Sequence, residues 1–203
     1  MIFISDLHLG SKRCQAEKIC HFLISNPEHR TIYVIGDLFD LDVAMRHWPC
    51  SHREVIELLL KRNVKYLPGN HDAALRALLG LCGDRISIAE EAIYTACSGK
   101  RYLITHGDRY DQAMMFNGPH WLRSLVSKTV SGAHSKFISD IVKRRSIADA
   151  RRLGMDGVIC GHTHHPDHDT VDGIEYVNCG DWVQHCTAVI EQNDSEMKLV
   201  TFT

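Results

Sequence analysis

No stretch of this chain approaches the roughly 20 consecutive apolar residues that a membrane-spanning helix needs. The few residues before Asp6 cannot hold the basic and apolar regions of a secretory leader. A soluble, cytoplasmic protein is therefore expected. Eight cysteines are present, but none pair as C-x-x-C or fall at zinc-finger spacing, which speaks against a structural zinc module. Several, such as Cys160 in Val158-Ile159-Cys160, sit in apolar runs where a thiol packs as a small hydrophobe. Reduced, structural cysteines are expected. Net charge is also scarce, −2 with a pI near 6.7, so nothing draws the whole molecule to nucleic acid or an anionic surface. Repeats, low-complexity tracts and linkers are missing as well.

What remains is an ordinary globular balance, 44% hydrophobic and 24% charged over 203 residues, enough for one core and one domain spanning 1–203. Short β-branched and aromatic runs at 2–4, 31–35 and 64–67 alternate with helical patterns at 14–24 and 51–62. Ser51, with Glu54 three residues later, predicts a capping box for the second helix. A short helix is expected at 72–79. Further strands are expected at 85–88, 92–97, 101–105, 157–160, 168–171, 174–178, 186–191 and 197–202. Asp172-Gly173 marks a hairpin turn. Helical segments near 111–130 and 134–153 form an insertion over 111–153. The pattern predicts a layered α/β sandwich with mixed sheets.

The polar residues fall at strand ends. Asp6-Leu7-His8, Gly36-Asp37, Gly69-Asn70-His71-Asp72, His106-Gly107-Asp108 and Gly161-His162-Thr163-His164 each follow a predicted strand. Ligands of α/β sheets collect beyond the carboxyl ends of strands, so five loops are expected to reach one rim. In extended backbone residues i and i+2 share a face, which predicts that Asp6 with His8, and His162 with His164, point together. Carboxylate, amide and imidazole suit borderline divalent ions such as Mn²⁺, Fe²⁺ or Zn²⁺.

The ordered set D-x-H, G-D-x-x-D, G-N-H-D, H-G-D and G-H-x-H resembles the calcineurin-like metallophosphoesterases. The resemblance implies an α-β-β-α sandwich with a two-metal site. One ion would take Asp6, His8 and His164, the other Asn70, His106 and His162, with Asp37 bridging. It also implies in-line attack on a phosphate ester by a metal-activated water, with Mn²⁺ as first choice of metal. His71 would face the leaving group as acid, and Asp72 would orient His71.

Within that superfamily the chain is similar to the UDP-2,3-diacylglucosamine hydrolases and their paralogues. The likeness rests on Phe3 to Gly10, on Val34 to Asp40, on His106-Gly107-Asp108, and more particularly on Asn178-Cys179-Gly180-Asp181-Trp182-Val183 with Cys186-Thr187-Ala188. It implies cleavage of a lipid-linked nucleotide diphosphate to UMP and a lipid monophosphate. Two departures favour the alternative, a general phosphodiesterase or phosphatase on a smaller ester. His71 stands where those hydrolases have arginine, and the insertion after His106 is short. The protein-phosphatase branch resembles G-D-x-x-D-R-G and G-N-H-E, which Asp40-Leu41-Asp42 and Asp72 do not match.

Arg46, His47, Trp48, Arg109 and Tyr110 are further candidates for substrate contact. Residues 120–152 carry eight Lys/Arg against Asp140 and Asp149. That segment either packs an apolar stripe on the core or meets an anionic membrane surface at its inner face. The sequence leaves the oligomeric state open.

Overall fold

In β1 (Ile2–Ile4) the side chains alternate, Ile2 and Ile4 toward one layer and Phe3 toward another, and all three are fully buried. β2 (Ile32–Ile35) repeats the pattern: Ile32 and Val34 join one core, Tyr33 and Ile35 the other. Strands covered on both faces read as unbroken apolar runs, as these do. The computed structural model describes residues 1–28, 30–40, 45–111, 132–192 and 196–203.

Two mixed sheets result. The first adds β3 (Val64–Leu67), β4 (Ile86–Ile88), β10 (Thr187–Glu191) and β11 (Met197–Thr201), in the order β11-β10-β1-β2-β3-β4. Strands β1 to β4 run parallel, while β10 is antiparallel to β1 and to β11. The second contains β5 (Glu91–Thr95), β6 (Arg101–Thr105), β7 (Gly157–Cys160), β8 (Asp167–Val171) and β9 (Ile174–Asn178), in the order β5-β6-β7-β9-β8. Here β6, β7 and β9 are parallel and the edges antiparallel.

Three apolar clusters stack these layers. Ile19 and Leu23 of α1 (Ala16–Ser25) and Val55 and Leu59 of α2 (Cys50–Leu60) cover the outer face of the first sheet. Phe3, Tyr33, Leu67, Ile104, Ile159 and Val177 fill the space between the sheets. Ile147 and Ala150 of α3 (Gly132–Arg152) pack on Leu103, Val158 and Tyr176 of the second. The order is α-β-β-α, as expected. Because β1, β2 and β3 are parallel, and β6 and β7 likewise, the five motif loops leave matching strand ends.

Three local expectations need revision or limits. The second helix starts at Cys50 with Pro49 before it, and no side chain caps it. Pro49, at φ −55°, takes the N-cap position two residues early and leaves Ser51 inside the first turn. Residues 73–78 form a 3₁₀ helix, a segment too short for cooperative α-helix before Gly80. The helix expected at 111–130 lies almost wholly outside the described residues. The predicted hairpin turn is present, with Asp172 and Gly173 both left-handed (φ 49° and 80°) between β8 and β9. Among the described residues no helix is long and apolar enough to cross a membrane, and all eight cysteines are unbridged.

Phe3 stacks on Tyr33 at 5.1 Å and meets the edge of Tyr94 at 5.2 Å, between the sheets. Phe3→Ala is expected to lower unfolding free energy by about 3–5 kcal/mol in urea denaturation. Ile24→Ala, at a side chain 62% exposed, should change it by less than about 0.5 kcal/mol. Equal effects would contradict the layer assignment.

Candidate metal centre

Five loops bring seven side chains to one rim. Asp6 Oδ1 lies 3.4 Å from His164 Nε2 and 3.8 Å from His8 Nε2, and the two imidazole nitrogens are 3.2 Å apart. On the other side Asn70 Oδ1 is 3.0 Å from His162 Nδ1 and 3.3 Å from His106 Nε2. Asp37 stands between the groups, Oδ2 3.8 Å from His8 and Oδ1 3.5 Å from His106. Two donor clusters thus share one carboxylate. Asp6, Asp37 and His106 are all at most 2% exposed.

The donor set fits divalent cations. Asp6 Oδ1 is sealed from solvent and, among the described residues, has no hydrogen-bond partner, an arrangement whose cost a cation would remove. Burial alone would raise the Asp37 carboxyl; the adjoining His106 outweighs it and holds that group far below the usual carboxylate range. Burial likewise opposes charge on His106, but Asp37 and then Asp6 pull its pKa up to about 10. For His164, Asp6 and Asp181 overcome burial and raise the pKa, whereas burial lowers that of His8. A proton on His106 does electrostatically what a bound cation would do.

The backbone reaches this geometry by a route different from the extended i, i+2 pairing expected. Asp6 (φ 55°), His8 (51°), Asp37 (50°), His162 (69°) and His164 (57°) are all left-handed. Each such residue costs roughly 1–2 kcal/mol outside glycine. Interloop hydrogen bonds hold them: Asp6 N–H donates to Gly36 O (3.1 Å), His8 N–H to Asp37 O (2.9 Å) and His162 N–H to Asp6 Oδ2 (2.9 Å). Alternating left-handed turns, rather than a pleat, turn both members of each pair inward. Close approach fixes the neighbouring glycines: a Cβ on Gly36 would collide with the His106 ring, and one on Gly161 with the Ser5 hydroxyl.

His71 lies beside this group, its ring edge-on to His8 at 4.8 Å and its side chain 45% exposed. Asp72 does not orient it. Asp72 is fully buried and accepts from the N–H groups of Gly69 (2.6 Å) and Leu38 (2.8 Å) and from the Tyr66 hydroxyl. It braces the loops that carry Asp37 and Asn70. The carboxylate facing His71 is Asp40, 3.8 Å from Nδ1.

Other expected contacts fare unevenly. Trp48 is buried against Phe39 in the core, so it is no substrate platform, while Arg46 and His47 are exposed on a 3₁₀ turn before α2. Arg109 is held by Glu91 and Asp149, and the buried Tyr110 bonds Asp149. Both tie α3 to the second sheet instead of facing the rim. On α3 itself Val142 and Ile147 point inward, and Lys143 pairs with Asp167 and Asp169. In the described part of the basic segment Val142, Ile147 and Ala150 are therefore buried, while Phe137 is exposed.

Two supports escaped sequence reading. Asp181 accepts from His164 Nδ1 (3.1 Å) and from three backbone N–H groups, those of Val183, Gln184 and His185. Asp111 contacts His162 Nε2 at 3.1 Å. Carboxylates at such positions fix the orientation of ligating imidazoles. Only the Gly180-Asp181 pair, a polar break after an apolar strand, hinted at either.

A cluster of oxygen and imidazole donors around a sealed carboxylate, open at strand ends, is the apparatus for clamping phosphoryl oxygens. It makes the protein a metal-dependent phosphohydrolase by class. The chain belongs to the calcineurin-like phosphoesterase family, whose model matches residues 1–166. It is 26% identical over 217 residues to a UDP-2,3-diacylglucosamine hydrolase of Cellvibrio japonicus, covering 89% of this chain and 90% of that one. A protein of the same name from Aeromonas salmonicida is 26% identical over 225 residues, 93% of this chain and 88% of its own. Among solved structures, an archaeal phosphodiesterase superposes with a TM-score of 0.52 at 18% identity, over 99% of both chains. A single-mutant Vps29 of Entamoeba histolytica gives 0.53 at 15%, over the whole of both chains. These structures share the fold.

Metal uptake near pH 7 must displace the proton that His106 would otherwise keep up to about pH 10. Titration calorimetry of Mn²⁺ binding in two buffers of different ionisation heat is expected to show release of about one proton or more. Buffer-independent heats would contradict the charge assignment.

Proposed function

We propose that the protein hydrolyses phosphate esters or pyrophosphates with two divalent cations, and that its substrate is a nucleotide diphosphate of the UDP-2,3-diacylglucosamine kind or a close relative. Asp6, His8 and His164 hold one ion, Asn70, His106 and His162 the other, and Asp37 both. The solvent-sealed Oδ1 of Asp6, without a hydrogen bond among the described residues and facing two imidazole nitrogens, carries the reading, since a buried carboxylate is costly unless positive charge answers it. Mn²⁺ is the expected metal, with Fe²⁺ and Zn²⁺ compatible with the same N/O donors. When bound, such ions acidify a water and offset charge gathering on the phosphoryl oxygens. The hydrolases related at 26% identity support the substrate class.

His71 is the proton donor in this scheme. Its ring borders His8 at the rim, is half open to solvent, and has Asp40 within reach of Nδ1, leaving Nε2 free to meet a departing oxygen. A phosphate leaving group needs little protonation, whereas an alkoxide benefits strongly. This favours the second reading, a phosphodiesterase or phosphatase acting on smaller soluble esters. Contact with the inner face of a membrane through 120–152 belongs only to the lipid reading.

A panel with Mn²⁺ separates the two. UDP-diacylglucosamine, a UDP-sugar, a bis-aryl phosphodiester and an aryl monophosphate should show preference for the lipid nucleotide with release of UMP. Turnover of soluble esters alone would reject the lipid substrate. His71→Arg should reduce kcat on alkoxide-leaving esters by about 10²-fold or more, and on diphosphates by much less. Equal losses on both would remove His71 as the acid.

A further inference from the structure

Arg76 lies on the 3₁₀ helix Ala73–Leu78, just past the loop that carries Asn70 and His71. It is the single charged residue of 73–83, and its guanidinium reaches three separate segments. Nη2 donates to Asp108 Oδ2 at 2.9 Å and lies 3.3 Å from Pro68 O, while Nε donates to Glu90 Oε2 at 3.1 Å. Pro68 and Glu90 follow β3 and β4 of the first sheet, whereas Asp108 follows β6 of the second. One planar side chain thus ties the two sheets together at the rim. Asp108 is 16% exposed and Glu90 47%, so the arm that crosses between the sheets is the one shielded from solvent.

The chain on either side of this tie carries candidate ligands. Pro68 is two residues before Asn70 and Asp108 two after His106. Asn70 Oδ1 stands 3.3 Å from His106 Nε2 across the same gap. Two further ties between the sheets, His106 Nδ1 to Ile35 O at 2.8 Å and His162 N–H to Asp6 Oδ2 at 2.9 Å, hold the imidazoles to the β1 and β2 loops. Neither involves the loop that carries Asn70. The two ion sites also differ in charge. The first has two carboxylates, Asp6 and Asp37; the second has Asp37 with two imidazoles and a neutral amide. With less charge to draw a cation, the second depends more on donors held at the right separation.

We propose that Arg76 is a positioning residue for the second cation, setting the separation of Asn70 and His106 through Pro68 and Asp108. It acts through those ligands and is not itself one. The inference rests on the two-metal reading above. Its sign sets it apart from a field effect. An arginine at the rim repels cations, so loss of its charge would by electrostatics alone strengthen binding of both ions. Loss of the tie does the reverse, and does it to one ion.

Mn²⁺ titrations of the full chain, freed of metal by chelation and followed by electron paramagnetic resonance of free and bound Mn²⁺, test it. Wild type should take up two ions and show the exchange-coupled spectrum of a pair. In Arg76→Ala the first ion should bind as in wild type and the second about 10- to 100-fold more weakly, with the coupled signal giving way to that of an isolated ion. Asp108→Asn should show the same selective loss, which keeps the test open should Arg76→Ala not fold. The double variant should bind the second ion no more weakly than the weaker single. Glu90→Gln, which leaves the Asp108 arm in place, should shift it by less than about twofold. Unchanged or tighter binding of the second ion in Arg76→Ala overturns the proposal in favour of a field effect. Equal weakening of both ions overturns it in favour of a general structural role, and additive losses overturn the route through Asp108. A wild type that takes up only one ion removes the two-metal reading, and this inference falls with it.

Discussion

Two carboxylates sealed from water, Asp6 and Asp37, set the terms for the rest of the molecule. Burying such charge is costly unless positive charge or hydrogen bonds answer it. Around Asp37 the answer is His106, drawn to hold a proton, together with the His71 N–H at 2.9 Å. Around Asp6 one oxygen accepts from the Ser5 hydroxyl and the His162 N–H, while the other, among the described residues, has the His164 and His8 imidazoles near it but no hydrogen bond. A divalent cation bound there would turn this cost to use, because it would gain what the carboxylates lose by leaving water.

The sandwich exists to hold that arrangement. Parallel strands β1 to β3 in one sheet and β6 and β7 in the other deliver five loops to one edge. The intersheet core of Phe3, Tyr33, Ile104 and Ile159 keeps the two sheets in register. Five left-handed non-glycine residues would together cost several kcal/mol if isolated. They persist because interloop hydrogen bonds and close glycine contacts leave no room to relax. Asp72, expected to serve His71, instead accepts backbone N–H groups from two loops and so acts on their shape. Asp181 does the same for the segment after β9 while turning His164.

Much of this was legible in the residues. Apolar alternation located nearly every strand, and the Asp/His motifs at strand ends located the rim. The reason they converge was misread, since pleated spacing and left-handed turns both bring i and i+2 together and only φ distinguishes them. Partners distant in sequence were harder: Asp111 lies 51 residues from His162, and nothing local marks it. Trp48 and Tyr110 resembled surface contacts because an aromatic beside arginine has the same pattern whether it faces solvent or core. Pro49 displaced the capping box since its fixed φ outweighs a hydroxyl's preference.

Crystals grown with Mn²⁺ and measured at the manganese absorption edge would test the central claim directly. Two anomalous peaks about 3.5–4 Å apart are expected, with Asp37 between them and Asp6 and His164 on one. A single peak, or ions that leave Asp6 Oδ1 without a bond, would contradict the account.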